Sequence, residues 1–266
     1  MADKIRVIVA GALGRMGTET VKAICQDEEL SLVAAVDIKA RGETVSDITG
    51  LKEISLTIDN DLEAALERTK PQVLVDFTNP QAVFNNVRTA LTKGVTSVVG
   101  TTGLNQVELN QLEKLALEHN VGVAVIPNFA IGAVLMMKFA QEAARYFPDV
   151  EIIELHHDKK MDAPSGTAIK TAELISQNRP QRPPRNVREM EKITGCRGGD
   201  LDQIRIHSVR LPGFVAHQEV IFGGIGQSLT IRHDSYDRVG FMPGVIMVVK
   251  RMLDRKGLVY GMENLL

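Results

Sequence analysis

The run Ile5-Arg6-Val7-Ile8-Val9-Ala10-Gly11-Ala12-Leu13-Gly14-Arg15-Met16-Gly17 decides the fold class. Ile5–Ala10 is apolar apart from Arg6 and reads as a buried strand. The chain breaks at Gly11 and resumes with helical spacing over Arg15–Asp27. Strand, glycine turn and helix in that order open a nucleotide-binding βαβ unit, because glycines let the backbone approach a pyrophosphate and the helix N-terminus attracts its charge. The spacing here is GxxGxxG rather than GxGxxG: Ala12 stands where the usual first glycine would be, and Gly11 supplies the turn one residue earlier. A glycine turn alone also serves as a plain strand-to-helix connection. Asp37 tips the balance toward a dinucleotide, since it ends the next strand about 20 residues beyond the loop, where a carboxylate accepts hydrogen bonds from the adenosine ribose.

Outward from that unit, buried-strand runs at Leu32–Val36, Val73–Phe77, Thr96–Val99 and Val121–Ile126 alternate with helical stretches at Asn60–Glu67, Pro80–Thr92 and Asn105–His119. This is the pattern of a parallel sheet with helices on both faces. Ligands bind such sheets at the carboxyl ends of the strands. The loops Phe77-Thr78-Asn79-Pro80, Gly100-Thr101-Thr102-Gly103 and Pro127-Asn128-Phe129 are therefore expected on the same crevice as the glycine turn, although each alone reads as an ordinary turn.

The second half changes character. Val150–Leu155 reads as a strand, Ser165–Gln177 as a helix, and Arg179–Gly199 as a long loop rich in proline and charge. Strands at Gln203–Leu211, His217–Phe222 and Ser228–His233 suit a meander or mixed sheet. A helix over Val239–Leu253 and a short apolar tail are expected to return to the first domain. The expected class is α/β, a Rossmann-like dinucleotide-binding domain at 1–129, completed by 237–266, with an inserted α+β domain at 130–236.

Composition narrows the function classes. With 44% hydrophobic residues, 24% charged and a net charge of −2, the chain fits a soluble globular protein and lacks the basic excess of a general nucleic-acid binder. Its two cysteines, Cys25 and Cys196, are too few for a disulfide framework or a cysteine-rich metal site and suit a reducing cytosol. No signal peptide or membrane span is legible, so a cytoplasmic protein with no membrane partner is expected.

The most distinctive run is His156-His157-Asp158-Lys159-Lys160-Met161-Asp162-Ala163-Pro164-Ser165-Gly166-Thr167, between a strand and a helix. Two histidines, two lysines and a Ser-Gly-Thr helix start gather positive charge and backbone N–H groups at one spot, a design for a carboxylate. A surface basic loop with Ser165 as a simple N-cap is the plainer reading. Metal binding is less attractive, because consecutive strand histidines point to opposite faces and no Cys or third His lies close.

Gly11–Gly17, Asp76-Phe77-Thr78-Asn79-Pro80, Gly100–Gly103, Pro127-Asn128-Phe129 and the His156–Ala168 run, in this order and across most of the chain, resemble the successive signatures of the dihydrodipicolinate reductase family. The HHxxKxDxPSGTA pattern is the specific one; the glycine loop is shared with many dehydrogenases. The resemblance implies reduction of a dihydrodipicolinate-type dicarboxylate with NADH or NADPH, in a homotetramer built through the second domain. It implies His156 as the acid/base residue, Lys160 as a proton donor, and His157, Gly166 and Thr167 as ligands of the substrate carboxylates. It implies Gly11, Ala12, Leu13, Gly14, Arg15, Met16, Gly100, Thr101, Thr102, Ile126, Pro127, Asn128 and Phe129 around the cofactor, beside the Asp37 read from its own position. Where some members have Arg directly after the acidic residue, this chain has Ile38, with Lys39 and Arg41 nearby, so use of both cofactors is expected.

The chemistry of the residues agrees. Hydride addition to a conjugated imine leaves an electron-rich enamine that must take up a proton, and His or Lys supplies one near neutral pH. A semialdehyde dehydrogenase on the same fold needs a nucleophilic cysteine, yet Cys25 falls inside the first helix and Cys196 in the loop. A non-catalytic dinucleotide sensor has no use for the His-His-Lys cluster.

Overall fold

A computed structural model describes residues 3–180 and 190–266, so the centre of the proline-rich loop expected over Arg179–Gly199 lies outside the described residues. The chain divides into two compact units, Met1–Phe129 with Phe241–Leu266, and Ala130–Gly240. In chain order the first runs β1 (Ile5–Ala10), α1 (Arg15–Gln26), β2 (Leu30–Val36), α2 (Val45–Thr49), α3 (Leu62–Thr69), β3 (Val73–Asp76), α4 (Val83–Thr92), β4 (Thr96–Val99), α5 (Gln106–Glu118) and β5 (Gly122–Val125). The second contains α6 (Ile131–Ala143), β6 (Asp149–His156), α7 (Gly166–Asn178), β7 (Gly199–Leu201), β8 (Ile204–Arg210), β9 (Ala216–Gly224) and β10 (Gln227–Ser235). The chain then returns to the first unit with α8 (Met242–Met252) and β11 (Gly257–Tyr260).

The first unit is a six-stranded sheet in the order β11-β5-β4-β3-β1-β2, parallel at every pairing. Val7–Val9, Val73–Val75 and Val98–Val99 are completely buried, as strands covered by helices on both faces must be. The strand order reverses between β1 and β3, so their carboxyl ends diverge and open a crevice. Here the expectation of a Rossmann-like parallel sheet is met, with one addition: the apolar tail forms β11, pairing Gly257–Tyr260 with Gly122–Val125.

The second unit is a mixed sheet, β10-β9-β6-β8-β7, in which only β6 and β8 run parallel. Strand periodicity places Val150, Ile152 and Glu154 on one face of β6, and all three are buried. Ala168, Thr171, Ala172 and Ile175 form the buried stripe of α7, which packs over this strand. Helix α6, absent from the sequence reading, joins the same layer through α7 and β10. Its sequence is apolar on nearly every side, which hides the helical period.

Candidate active site

The glycine turn is built by backbone. Gly11 adopts φ +82°, and a Cβ there would lie 2.4 Å from the Phe77 carbonyl oxygen. A Cβ on Gly17 would lie 2.0 Å from the Gly11 carbonyl oxygen, so α1 starts hard against the loop. Gly14 caps α1 with no side-chain hydrogen bond, and the first turn carries no acid. Such a bare N-terminus in a cradle that side chains would fill suits a pyrophosphate.

Asp37 holds the far lip: its carboxylate accepts the Leu13 amide at 3.1 Å and the Lys39 amide at 3.0 Å. Both bonds fix the acid at the end of β2 while leaving lone pairs for ribose hydroxyls. Gly11, Leu13, Gly14, Asp37, Phe77 and Thr78 line a crevice of about 300 Å³ at the β1/β3 reversal. Ala12 is fully buried, so its contribution is backbone, whereas Arg15 is exposed and Met16 partly so. Gly100–Thr102 and 126–129 stand at the ends of β4 and β5, farther along the same sheet edge. Ile126 and Phe129 have buried side chains, and the Phe129 ring packs on Phe77 at 5.6 Å.

Behind these loops lies a residue that sequence reasoning left without a role. Asp76, completely buried at the end of β3, accepts the Thr78 amide at 3.0 Å and the hydroxyls of Thr78 and Thr101, each at 2.7 Å. The Asn86 amide completes the set at 2.9 Å. One carboxylate thus ties the loops after β3 and β4 to α4. Its place in Asp-Phe-Thr was visible, but its partners come from separate elements.

In the second unit the distinctive run forms the connection from β6 to α7. His156 is the last residue of β6 and partly buried, while His157, Asp158 and Lys159 are exposed. Ser165 caps α7 by accepting the Ala168 amide at 3.2 Å. The first turn of α7 has no acidic side chain, and Gly166 is exposed with nothing within 4 Å of where a Cβ would stand. A carboxylate can therefore approach the Gly166 backbone directly. Lys160 reaches back to Asp162, 2.8 Å from each carboxylate oxygen, and holds that carboxyl below the usual range.

Beneath the turn sits a buried ion pair. Glu154 accepts Arg210 in bidentate fashion at 2.7 and 2.9 Å, His156 Nδ1 at 2.5 Å, and the Ser165 amide at 3.2 Å. Arg210 also donates to the Asp162 carbonyl at 2.8 Å. Burial alone would raise the Glu154 carboxyl, but hydrogen bonds from His156, Arg210 and Ser208 outweigh it and hold it at about 2. Glu154 and Arg210 lie outside the motif; strand register brings them together, with Arg210 opposite His156 and Ser208 opposite Glu154. No group of three His, Cys, Asp or Glu placed to hold a metal occurs among the described residues.

With both halves described, comparison with known proteins is decisive. Residues 5–129 match the model for the dihydrodipicolinate reductase N-terminus, and residues 132–266 match that for its C-terminus. The chain belongs to the dihydrodipicolinate reductase family. A 4-hydroxy-tetrahydrodipicolinate reductase of Syntrophomonas wolfei subsp. wolfei is 73% identical over all 266 residues, covering 100% of each chain. One from Desulfitobacterium hafniense is 52% identical over 264 residues, 99% of each. A dipicolinate-bound dihydrodipicolinate reductase from Paenisporosarcina sp. TG-14 is similar at 45% identity and TM-score 0.87, covering 99% of this chain and 100% of that one. As a dihydrodipicolinate reductase family member the chain is an oxidoreductase, which removes the sensor alternative.

Proposed function

We infer that the chain reduces 4-hydroxy-tetrahydrodipicolinate to tetrahydrodipicolinate, the 4-hydroxyl leaving as water to give the conjugated imine that takes the hydride, in the diaminopimelate route to lysine, with NADH or NADPH as cofactor. The observation that carries this reading is the β6–α7 turn, where an exposed acid-free helix start stands beside His156, His157 and Lys160. Dipicolinate, the planar dicarboxylate in the Paenisporosarcina structure, has the charge such a turn attracts.

The dinucleotide-binding domain is residues 1–129 with the returning C-terminal segment, read from the sequence as 237–266 and compact as Phe241–Leu266. Gly11–Met16 receive the pyrophosphate, Asp37 the adenosine ribose, and Gly100, Thr101, Thr102, Ile126, Pro127, Asn128 and Phe129 the nicotinamide half. When bound, the nicotinamide supplies the hydride. Residues 130–236 bind the substrate: His157, Lys160 and the backbone of Gly166 and Thr167 take its carboxylates. His156 delivers the proton that the enamine requires, and Lys160 supports it as a second donor.

We further propose a cytoplasmic homotetramer assembled through the second unit. The sheet face opposite α7 carries Ile153, Leu155, Val209 and Ile221, all partly exposed, beside the Arg232–Glu219 and Arg197–Glu151 ion pairs. An apolar face edged with paired charges suits a self-complementary contact. No helix among the described residues is long and apolar enough to cross a membrane.

Loss of the nicotinamide absorbance band, followed with purified protein and freshly generated substrate, tests the reaction. Substrate-dependent oxidation of both NADH and NADPH is expected, since Asp37 favours free ribose hydroxyls and the exposed Lys39 and Arg41 offer charge to a 2′-phosphate. Oxidation of neither would refute the reading.

A further inference from the structure

The buried Glu154–Arg210 pair asks for a function. Burying two charges costs several kcal/mol of hydration, and a well-packed apolar pair would serve stability as well. Around it Ile152, Ile206, Val220 and Phe222 are buried, and the polar neighbours Gln218 and Thr171 carry no charge and bond to each other. The charged groups gather at the carboxyl end of β6, directly under the proton donor.

We propose that Glu154 is a positioning residue for His156, fixing the tautomer with the proton on Nδ1 and Nε2 presented to the substrate, while Arg210 tempers its charge and ties it to the carboxylate-binding turn. This rests on the reaction proposed above. The geometry supplies each part. Nδ1 faces an ionised carboxylate at 2.5 Å, and an oxygen without a proton accepts a hydrogen bond only from Nδ1–H. The other oxygen of the same carboxylate accepts the Ser165 amide, and Arg210 spans both oxygens and the Asp162 carbonyl. Ring orientation and the shape of the turn are therefore set by one rigid group.

The charges near His156 give the proposal a sign. Glu154 on β6 stabilises the imidazolium; Arg210 on β8 opposes it; Lys160 and Asp162 on the turn neutralise each other. The exposed His157, Asp158 and Lys159 complete the turn's own charges, and β9 offers Ala216 and Gln218 opposite His156 and Glu154, neither ionisable. The proton leaves from the imidazolium, so a change in the charge held beside the ring changes the pH dependence of kcat. Glu154→Gln removes the favourable charge and leaves Arg210, which should move the alkaline limb of kcat to lower pH. Arg210→Met removes the opposing charge and should move that limb to higher pH.

The test is the pH dependence of kcat and KM for wild type and both variants, with thermal melts and NADH binding to establish folding. Glu154→Gln should lower kcat at least about 10-fold with KM within a few-fold, because a misplaced donor acts in the transition state. Limbs displaced in opposite directions support positioning; limbs left in place, however large the loss of rate, overturn it. Should either variant fail to fold, ring nitrogen NMR of 15N-histidine-labelled wild type decides alone: the proton on Nδ1 of neutral His156 supports the proposal, and the proton on Nε2 overturns it. Absence of wild-type turnover would refute the reaction instead, so the two failures are distinguishable.

Discussion

Lys160 meets both carboxylate oxygens of Asp162, yet the Asp162 side chain is 66% exposed. Such a pair contributes only about 0–1 kcal/mol. A substrate carboxylate held by a charge-assisted bond contributes roughly 1.5–3 kcal/mol, so it competes successfully for the ammonium. Lys160→Ala should therefore cut kcat/KM by about 10- to 150-fold, whereas Lys159→Ala, at an exposed neighbour, should stay within a few-fold. Steady-state kinetics at two ionic strengths check this; equal losses that vary together with salt would mean that both lysines only raise the local potential. His156→Gln should lower kcat by on the order of 10²-fold with little change in KM, and near-normal turnover in a folded variant would remove its role. These residues were legible because they are contiguous in sequence. Glu154, Arg210 and Asp76 were not, because their partners arrive from other strands and helices, through pairings that no local pattern encodes.

At the scale of elements, the strand–turn–helix start was readable because its glycines are demanded by close approach. Gly17→Ala puts a Cβ against the Gly11 carbonyl oxygen, a backbone atom that cannot rotate away. The loop or α1 must shift, and NADH affinity should fall by about 5- to 150-fold, since an overpacked contact costs about 1–3 kcal/mol. Fluorescence titration with NADH measures it; unchanged affinity would show that the cradle tolerates movement. The parallel sheet was legible from runs such as Val73–Val75, buried on both faces. Two elements were not. In α6 apolar residues surround the helix and Ala130 gives no side-chain cap, so neither period nor start signal shows. In β11 four residues, opening on Gly257 at φ +76°, are too few to display a period, and only pairing with β5 makes them a strand.

For the whole molecule, the ionised Glu154 links stability to pH. Its carboxyl lies at about 2 in the folded chain against an ordinary 4.5, so its contribution is present above about 4.5 and is lost as pH falls toward 2. That displacement corresponds to roughly 3 kcal/mol at most. Thermal melts from about pH 5 to about pH 2 should fall more steeply for wild type than for Glu154→Gln; parallel slopes would mean that the carboxyl is not held down in solution. The same chain carries a glycine cradle at the β1/β3 reversal and the His156–Thr167 turn after β6, the first within the residues matched by the N-terminal family model and the second within those matched by the C-terminal one. Hydride transfer to a dicarboxylate imine is read by mass spectrometry of the product formed with NADH deuterated at C4. One of the two stereospecifically labelled forms should deliver a single deuterium to each tetrahydrodipicolinate; product without deuterium from either form, or no product from folded protein that binds NADH, would contradict the account.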